Sequence, residues 1–398
     1  MSRSRKACLI IGLIAGIPAT ANAETDFGSC LDNLRDTALE RDISAQTVDR
    51  LLSDITPSER VIELDRRQPE FTTTLHDYLA ARVNRGRIKR GRELLREHAD
   101  LLGRIEREYG VPARYLVAFW GLESNYGRTT GNMSTVRSLA TLACDRRRGD
   151  FFRAELIDAL HLVDDESLSA EQLRGSWAGA LGNFQFLPSV YRRHTVDADG
   201  DGRTDLWESL PDAAESAANF LRARGWQPEE RWGREVRLPE GFDYDLAETE
   251  RSVTDWRRAG LRQANGDALP AADLTARLII PAGAAGPAFL VYPNFDVIMR
   301  WNPSRFYALS VGRLADRLVG APPLYNPPPD HPALHVDTIE ALQTALNERG
   351  FDAGTADGRL GPQTRAAIRG FQTQQGMTRD GYPDPAVLNE LGIDRQEG

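Results

Sequence analysis

Lysine is almost missing from this 398-residue chain: only Lys6 and Lys89 occur, neither in a Gly-Lys-Ser/Thr context, which excludes a phosphate-cradling P-loop. Cysteine is scarce, with three residues and no Cys-x-x-Cys pair. No His-Glu-x-x-His motif occurs, and His76, His98, His161, His194, His331 and His335 show no zinc-ligand spacing. Positive charge is in deficit, with 49 basic against 58 acidic residues and a formal charge of -9. A chain this acidic lacks the footprint of a nucleic-acid binder. No apolar run is long enough to span a bilayer; Leu9 to Ile17 is too short. The composition, 41% hydrophobic and 27% charged, fits ordinary globular domains and excludes a disordered or collagenous chain. The length allows one to three of them.

What is present starts with a leader pattern. Arg3, Arg5 and Lys6 precede the apolar run, and Ala21-Asn22-Ala23 forms a small-x-small cleavage site before Glu24. Residues 1–23 therefore read as a secretory signal peptide. Cys8 does not follow an apolar stretch, so no lipid anchor is expected. Periplasmic export is the expected outcome. Cleavage leaves Cys30 and Cys144, an even pair that suggests either a disulfide or two buried thiols.

The chain divides at residues 320–332, where six prolines favour an extended linker. Before it, helix-period apolar spacing covers 36–51, 74–108, 112–126, 134–144, 150–163 and 212–224. Between about 230 and 292, short apolar runs at Val236–Leu238, Leu278–Ile280 and Phe289–Tyr292 predict a small β subdomain. Helical patterning returns at Phe295–Met299 and Phe306–Leu318. After the linker, Ile339, Leu342 and Leu346 and then Ala367, Ile368 and Phe371 predict a small helical module over 333–392. The fold class expected is mainly α, an α+β domain over 24–319 followed by a three-helix C-terminal module.

One acid stands out. Leu116, Phe119, Trp120 and Glu123 fall at i, i+3, i+4 and i+7, which puts Glu123 on the apolar face of its own helix. Pro112 suits the first turn and Gly127 a stop, so Glu123 lies in the last turn, at the negative end of the dipole. Desolvation and dipole both favour the protonated form, as a general acid requires. The alternative is a glutamate paired with a buried arginine.

The segment Ala118-Phe119-Trp120-Gly121-Leu122-Glu123-Ser124-Asn125-Tyr126-Gly127 resembles the catalytic signature of the lytic murein transglycosylase B family. Further blocks resemble that family in order: Arg67 to Phe71, Leu139 to Ala143 with Arg146-Arg147, Gly175 to Ser189, and Trp301-Asn302-Pro303-Ser304 with Tyr307-Ala308. Trp301 stands where the resemblance leads one to expect Tyr. The likeness spans about residues 25–318. It implies a lysozyme-like catalytic domain that cleaves the MurNAc-GlcNAc β-1,4 bond of peptidoglycan and leaves 1,6-anhydro-MurNAc ends, with Glu123 as the single acid/base. A hydrolytic muramidase on the same scaffold, which would use a second carboxylate, and a non-catalytic wall-binding scaffold are the alternatives.

Beside Glu123, the expected sugar contacts are Ser124, Tyr126, Ser176, Trp177, Gln185, Trp301, Asn302 and Tyr307. Ser176 and Gln185 bring hydroxyl and amide groups, and Tyr126, Trp177, Trp301 and Tyr307 bring flat amphipathic faces. Core packing remains the alternative for at least one of these aromatics, and turn or cap duty for Ser176 and Asn302.

Residues 197–208 place Asp197, Asp199, Asp201, the Arg203 carbonyl, Asp205 and Glu208 at positions 1, 3, 5, 7, 9 and 12 of a loop with Gly202 at position 6. That is the EF-hand order of oxygen ligands, read here as one structural Ca2+; a solvated Asp/Gly turn is the alternative. The family resemblance brings in Asp212 as a competitor to Glu208 for the last ligand. No organic cofactor is expected.

Ile339 to Leu346, Gly350-Phe351, Asp357 to Thr364, Ala367-Ile368 and Phe371-Gln372 resemble the peptidoglycan-binding domain appended to cell-wall enzymes. The partner expected is therefore the glycan strand itself, met by a monomer; the chain names no other.

Overall fold

The computed structural model describes residues 19–66, 73–145 and 147–393. The leader up to residue 18, the Arg67 to Phe71 block and Arg146 lie outside the described residues. Most of the chain is helical, and helix starts follow local capping chemistry. Ser44, Thr74, Asn84, Ser134, Ser209 and Ser304 each accept a first-turn N–H with the side chain. The 74–108 pattern is three helices, Leu75–Arg82, Arg85–Glu97 and Ala99–Tyr109, the first two capped by Thr74 and Asn84 and the third starting after His98 with no side-chain cap. Asn84 restarts the chain at the first break, its Oδ1 accepting from Arg87 N at 2.9 Å. The 36–51 pattern is likewise two helices, Ala19–Glu40 and Ala45–Leu52.

Among the described residues there are seven short strands: β1 (Met133–Ser134), β2 (Arg174–Gly175), β3 (Gly233–Arg237), β4 (Glu250–Ser252), β5 (Arg262–Gln263), β6 (Thr275–Ile279) and β7 (Ala288–Val291). β1 and β2 form a two-stranded ribbon, and the other five make an antiparallel sheet ordered β4-β6-β7-β3-β5. The apolar runs at 236, 278 and 289 fall on the three inner strands. β4 and β5 flank them and are polar. Residues of β6 and β7 alternate between two cores. Ile279, Phe289 and Val291 join the large helical core, while Leu278, Ala288 and Leu290 join a smaller one with Trp256 and Tyr292. A third core, around Leu342, Leu346, Ile368, Phe371 and Leu388, belongs to the C-terminal helices Val336–Glu348, Pro362–Gln374 and Pro385–Leu391.

Cys30 and Cys144 are joined by a disulfide that ties the first helix to the end of helix Thr135–Ala143.

The proline-rich stretch is docked along its length. Buried Glu235 on β3 accepts the N–H of Tyr325 at 3.0 Å and of Asn326 at 2.8 Å. Arg313 donates to Pro322 O at 2.9 Å, and His76 Nδ1 lies 3.2 Å from Pro328 O. The C-terminal helices are anchored as well: Asp380 Oδ2 accepts Ala284 N–H at 2.7 Å, and Arg379 pairs with Asp245 at 2.7 Å.

Candidate active site

The helix carrying Glu123 runs Ala113–Ser124, with Pro112 as its N-cap, and every residue from Tyr115 to Leu122 is buried. It stops at Asn125, two residues before the glycine that the sequence suggested. Asn125 and Tyr126 hold φ of 52° and 62°, and both donate N–H groups to Trp120 O. Gly127 continues the left-handed run at φ 79°, and a Cβ there would meet Asn183 Oδ1 at 2.6 Å.

Two donors meet Glu123 from one helix junction. Helix Pro293–Trp301 ends on Trp301, and helix Arg305–Leu318 begins two residues before Tyr307. Trp301 Nε1 donates to Glu123 Oε1 at 2.9 Å, and the Tyr307 hydroxyl donates to the same oxygen in a very short bond. Phe119, Phe220 and Phe186 pack around Trp301 with ring centroids at 4.5, 5.2 and 5.4 Å. Protein surrounds the carboxyl on its sides while the residue keeps partial access to solvent. Burial raises its pKa to about 7; the bonds from Tyr307 and Trp301 and the more distant charge of Arg82 pull the other way. Among the described residues no ion pair engages Glu123, and Arg82 acts on it only as a nearby charge. Burial and the adjacent Glu123 push the Tyr307 phenol far above its ordinary value, so it stays a donor. Both donors end on Oε1, which leaves Oε2 as the oxygen able to carry the acidic proton.

The other expected sugar contacts divide. Ser176 and Trp177 are half-buried on the turn after β2; the Ser176 hydroxyl accepts Ala180 N–H at 3.1 Å, and a Cβ on Gly175 would lie 1.9 Å from Ala180 O. Gln185 is half-buried, and its amide nitrogen donates to Thr130 O and Gly182 O, each at 2.9 Å. Asn302 closes the helix before it through its N–H on Ile298 O. Ser124 and Tyr126 require correction. Ser124 is 0% exposed, with its hydroxyl donating to Asn183 O at 2.6 Å. Tyr126 is buried edge-on against Trp120 and donates to Arg87 O at 2.8 Å. Both side chains are thus engaged in holding the helix end, Ser124 from its last residue and Tyr126 from the left-handed turn after it.

Three residues near the site carry no sequence signal of their role. Phe119 stacks on Trp301, Arg82 places its charge near Glu123 and Tyr307, and Asn183 joins the Glu123 helix to the acidic loop. The three positions are separated by 37 and 64 residues in chain order and meet only in the folded state.

In that loop Asp197, Asp199 and Asp212 place carboxylate oxygens within 4.8 Å of one another. The all-oxygen donor set suits a hard cation. Asp197 also accepts N–H groups from Gly200 and Gly202 at 2.8 and 2.9 Å. Asp201 and Asp205 turn to backbone instead, Asp201 to Arg203 N and Asp205 to Trp207 N and Glu208 N. Glu208 is outside the cluster and Asp212 is in it. Helix Leu210–Ala223 starts just past position 12, and its buried first turn directs Asp212 back onto Ala198 N and Asp205 N, each at 2.8 Å.

Comparison with known proteins adds to this geometry. Residues 26–316 match the family model described as Transglycosylase SLT domain, and residues 335–391 match that of a peptidoglycan binding domain. Membrane-bound lytic murein transglycosylase B of Escherichia coli K12 is 34% identical over 235 residues, which is 57% of this chain and 62% of that protein's length. The crystal structure of SltB3 from Pseudomonas aeruginosa in complex with NAG-anhNAM-pentapeptide is 43% identical, with a TM-score of 0.87 over 92% of this chain and 99% of that one. The lytic transglycosylase SLT35 of Escherichia coli, solved in complex with calcium, is 28% identical, with a TM-score of 0.61 over 74% of this chain and 93% of that one. The mostly helical fold with its small sheet is the fold of these neighbours.

Proposed function

The chain belongs to the Transglycosylase SLT domain family, and from that premise we propose that it is a peptidoglycan lytic transglycosylase with Glu123 as its acid/base. The observation that carries the reading is a half-buried carboxyl gripped on one oxygen by Trp301 and Tyr307, with a pKa raised to about 7. At neutral pH a large share of such a group is protonated. Glu123 gives that proton to the glycosidic oxygen as the bond from MurNAc C1 to that oxygen breaks. The carboxylate, steadied by Trp301 and Tyr307, then takes the proton of the sugar's C6 hydroxyl as O6 bonds to C1. The proton is returned to Glu123, a 1,6-anhydro ring closes, and no water is consumed. Trp301 supplies through its indole N–H the donor that a tyrosine hydroxyl would otherwise offer. Ser176, Trp177, Gln185 and Asn302 would contact sugar oxygens and faces.

The remaining parts of the reading follow the same line. Asp197, Asp199 and Asp212 would hold one structural Ca2+, supported by their convergence and by the calcium complex of SLT35. Calcium supplies cross-linking of the loop there. Residues 1–23 would direct export to the periplasm, 24–319 catalyse, 320–332 connect and 333–392 bind the wall as part of a monomer. Digestion of purified sacculi followed by mass spectrometry tests the activity. Anhydro ends are expected; reducing MurNAc ends would make the protein a muramidase, and no released fragments would make it a wall-binding scaffold.

A further inference from the structure

We propose that Asn183 is a positioning residue for Glu123, a strut that fixes the last turn of the Glu123 helix against the segment closing the acidic loop. The inference rests on the reading of Glu123 as the acid/base.

Asn183 is 4% exposed, and every one of its polar groups is bonded. Its Oδ1 accepts Trp120 Nε1–H at 2.8 Å, and its Nδ2 donates to Leu206 O at 3.0 Å and Trp207 O at 2.7 Å. Its backbone N–H donates to Leu206 O at 2.8 Å, and its carbonyl accepts the Ser124 hydroxyl at 2.6 Å. Trp120 and Ser124 bracket Glu123, one turn before it and one residue after it. Asn183 thus holds both neighbours on the helix and anchors them to two carbonyls across the groove wall. The side chain must accept on one side and donate twice on the other from a short stem. Asparagine has that pattern; aspartate would face two carbonyls with an acceptor, and leucine would orphan Trp120 Nε1–H and Trp207 O.

The strut matters because the helix ends in a left-handed turn: the N–H groups of Asn125 and Tyr126 both close on Trp120 O, and the regular i→i−4 ladder does not continue past it. Glu123 must meet donors that come from a different element. The groups facing it are Trp301 and Tyr307 from the helix junction and Arg82 from helix Leu75–Arg82, with Tyr78 set against Tyr307. If the last turn relaxes, the carboxyl moves from its donors and water enters. Loss of the donors favours the protonated form and hydration favours the charged one. Burial is the larger cause of the raised pKa, so hydration decides the direction.

The test compares the full-length wild type with Trp120→Phe, Asn183→Ala and Ser124→Ala on glycan strands, recording kcat, KM, the pH profile of kcat and the melting temperature. Trp120→Phe deletes one N–H and should lower kcat by about tenfold or more, because small misplacement of a reacting group is costly. KM should stay within about twofold, since ground-state binding is untouched. The alkaline limb of the profile should move toward acid by about half a unit or more. Asn183→Ala should do the same more strongly, and Ser124→Ala more weakly. An unmoved alkaline limb in Trp120→Phe, with kcat falling only as far as melting temperature does, overturns the proposal even if Asn183→Ala fails to fold. Absence of anhydro product from the wild type would instead overturn the reading of Glu123 itself.

Discussion

Glu123 and Asp212 are both carboxylic acids withdrawn from solvent at a helix end, and the two ends treat them oppositely. Asp212 lies in the first turn of its helix, where free N–H groups and the positive end of the dipole gather. Its two oxygens each accept a main-chain N–H, and Asp197 and Asp199 stand beside it. Glu123 is the penultimate residue of its helix, where carbonyls point outward and main-chain donors are lacking. Its donors are two side chains on a single oxygen. The first arrangement suits a permanent anion that collects cations. The second suits a group that gives its proton away and takes it back. Position along a helix, more than residue type, separates a structural acid from a reactive one.

The comparison breaks most sharply at Glu123→Gln. The amide keeps the shape and removes the proton donor, so fragment release from sacculi should fall about 10²–10⁴-fold. Asp212→Ala should do the reverse, acting on stability first. It orphans the N–H groups of Ala198 and Asp205, a loss of about 2–5 kcal/mol in chemical denaturation. Calcium should raise the melting temperature of the wild type and leave Asp212→Ala unmoved; a wild type indifferent to both calcium and chelator removes the cation from the account.

A subtler contrast is pH. Glu123 has a folded pKa of about 7, above its ordinary 4.5. The folded state therefore holds the proton more tightly than the unfolded one, and this contribution is complete below pH 4.5 and lost as pH rises through 7. Glu123→Gln should abolish that slope and be more stable than the wild type above neutrality, by on the order of 3 kcal/mol. Catalysis should decline over the same alkaline limb, because the acid must be protonated. The smallest effect is expected from Tyr307→Phe. It removes a bond that favours the carboxylate, so the alkaline limb should move upward by about half to one unit, opposite in sign to the Asn183 variants.

Much of this arrangement could be read from residue order because it is local. The Glu123 helix announces itself through apolar spacing, and the three inner strands through short apolar runs. Trp301 and Tyr307 reach Glu123 across 178 and 184 residues, so only family likeness pointed to them. β4 and β5 were hidden because flanking strands of polar residues have no apolar period. Ser124 and Tyr126 misled because side-chain direction after a helix end depends on the two left-handed residues there, which spacing does not encode. Between Glu208 and Asp212 the count of twelve could not choose, because it does not say where the next helix begins; with Ser209 as its cap, Asp212 falls in the buried first turn and faces Asp197 and Asp199.

The docked stretch at 320–332 turns chain length into a dimension of the enzyme. Its main chain is pinned by Arg313 and Glu235, its Asn326 side chain donates to Gly286 O, and its Pro328 carbonyl meets His76. There is no slack to absorb an added residue, so an insertion must bulge outward or pull the Tyr325 and Asn326 amides off Glu235. The terminal helices are tied back to the first domain as well, through Asp380 to Ala284 and Arg379 to Asp245, so the offset between the two parts is set by residue count.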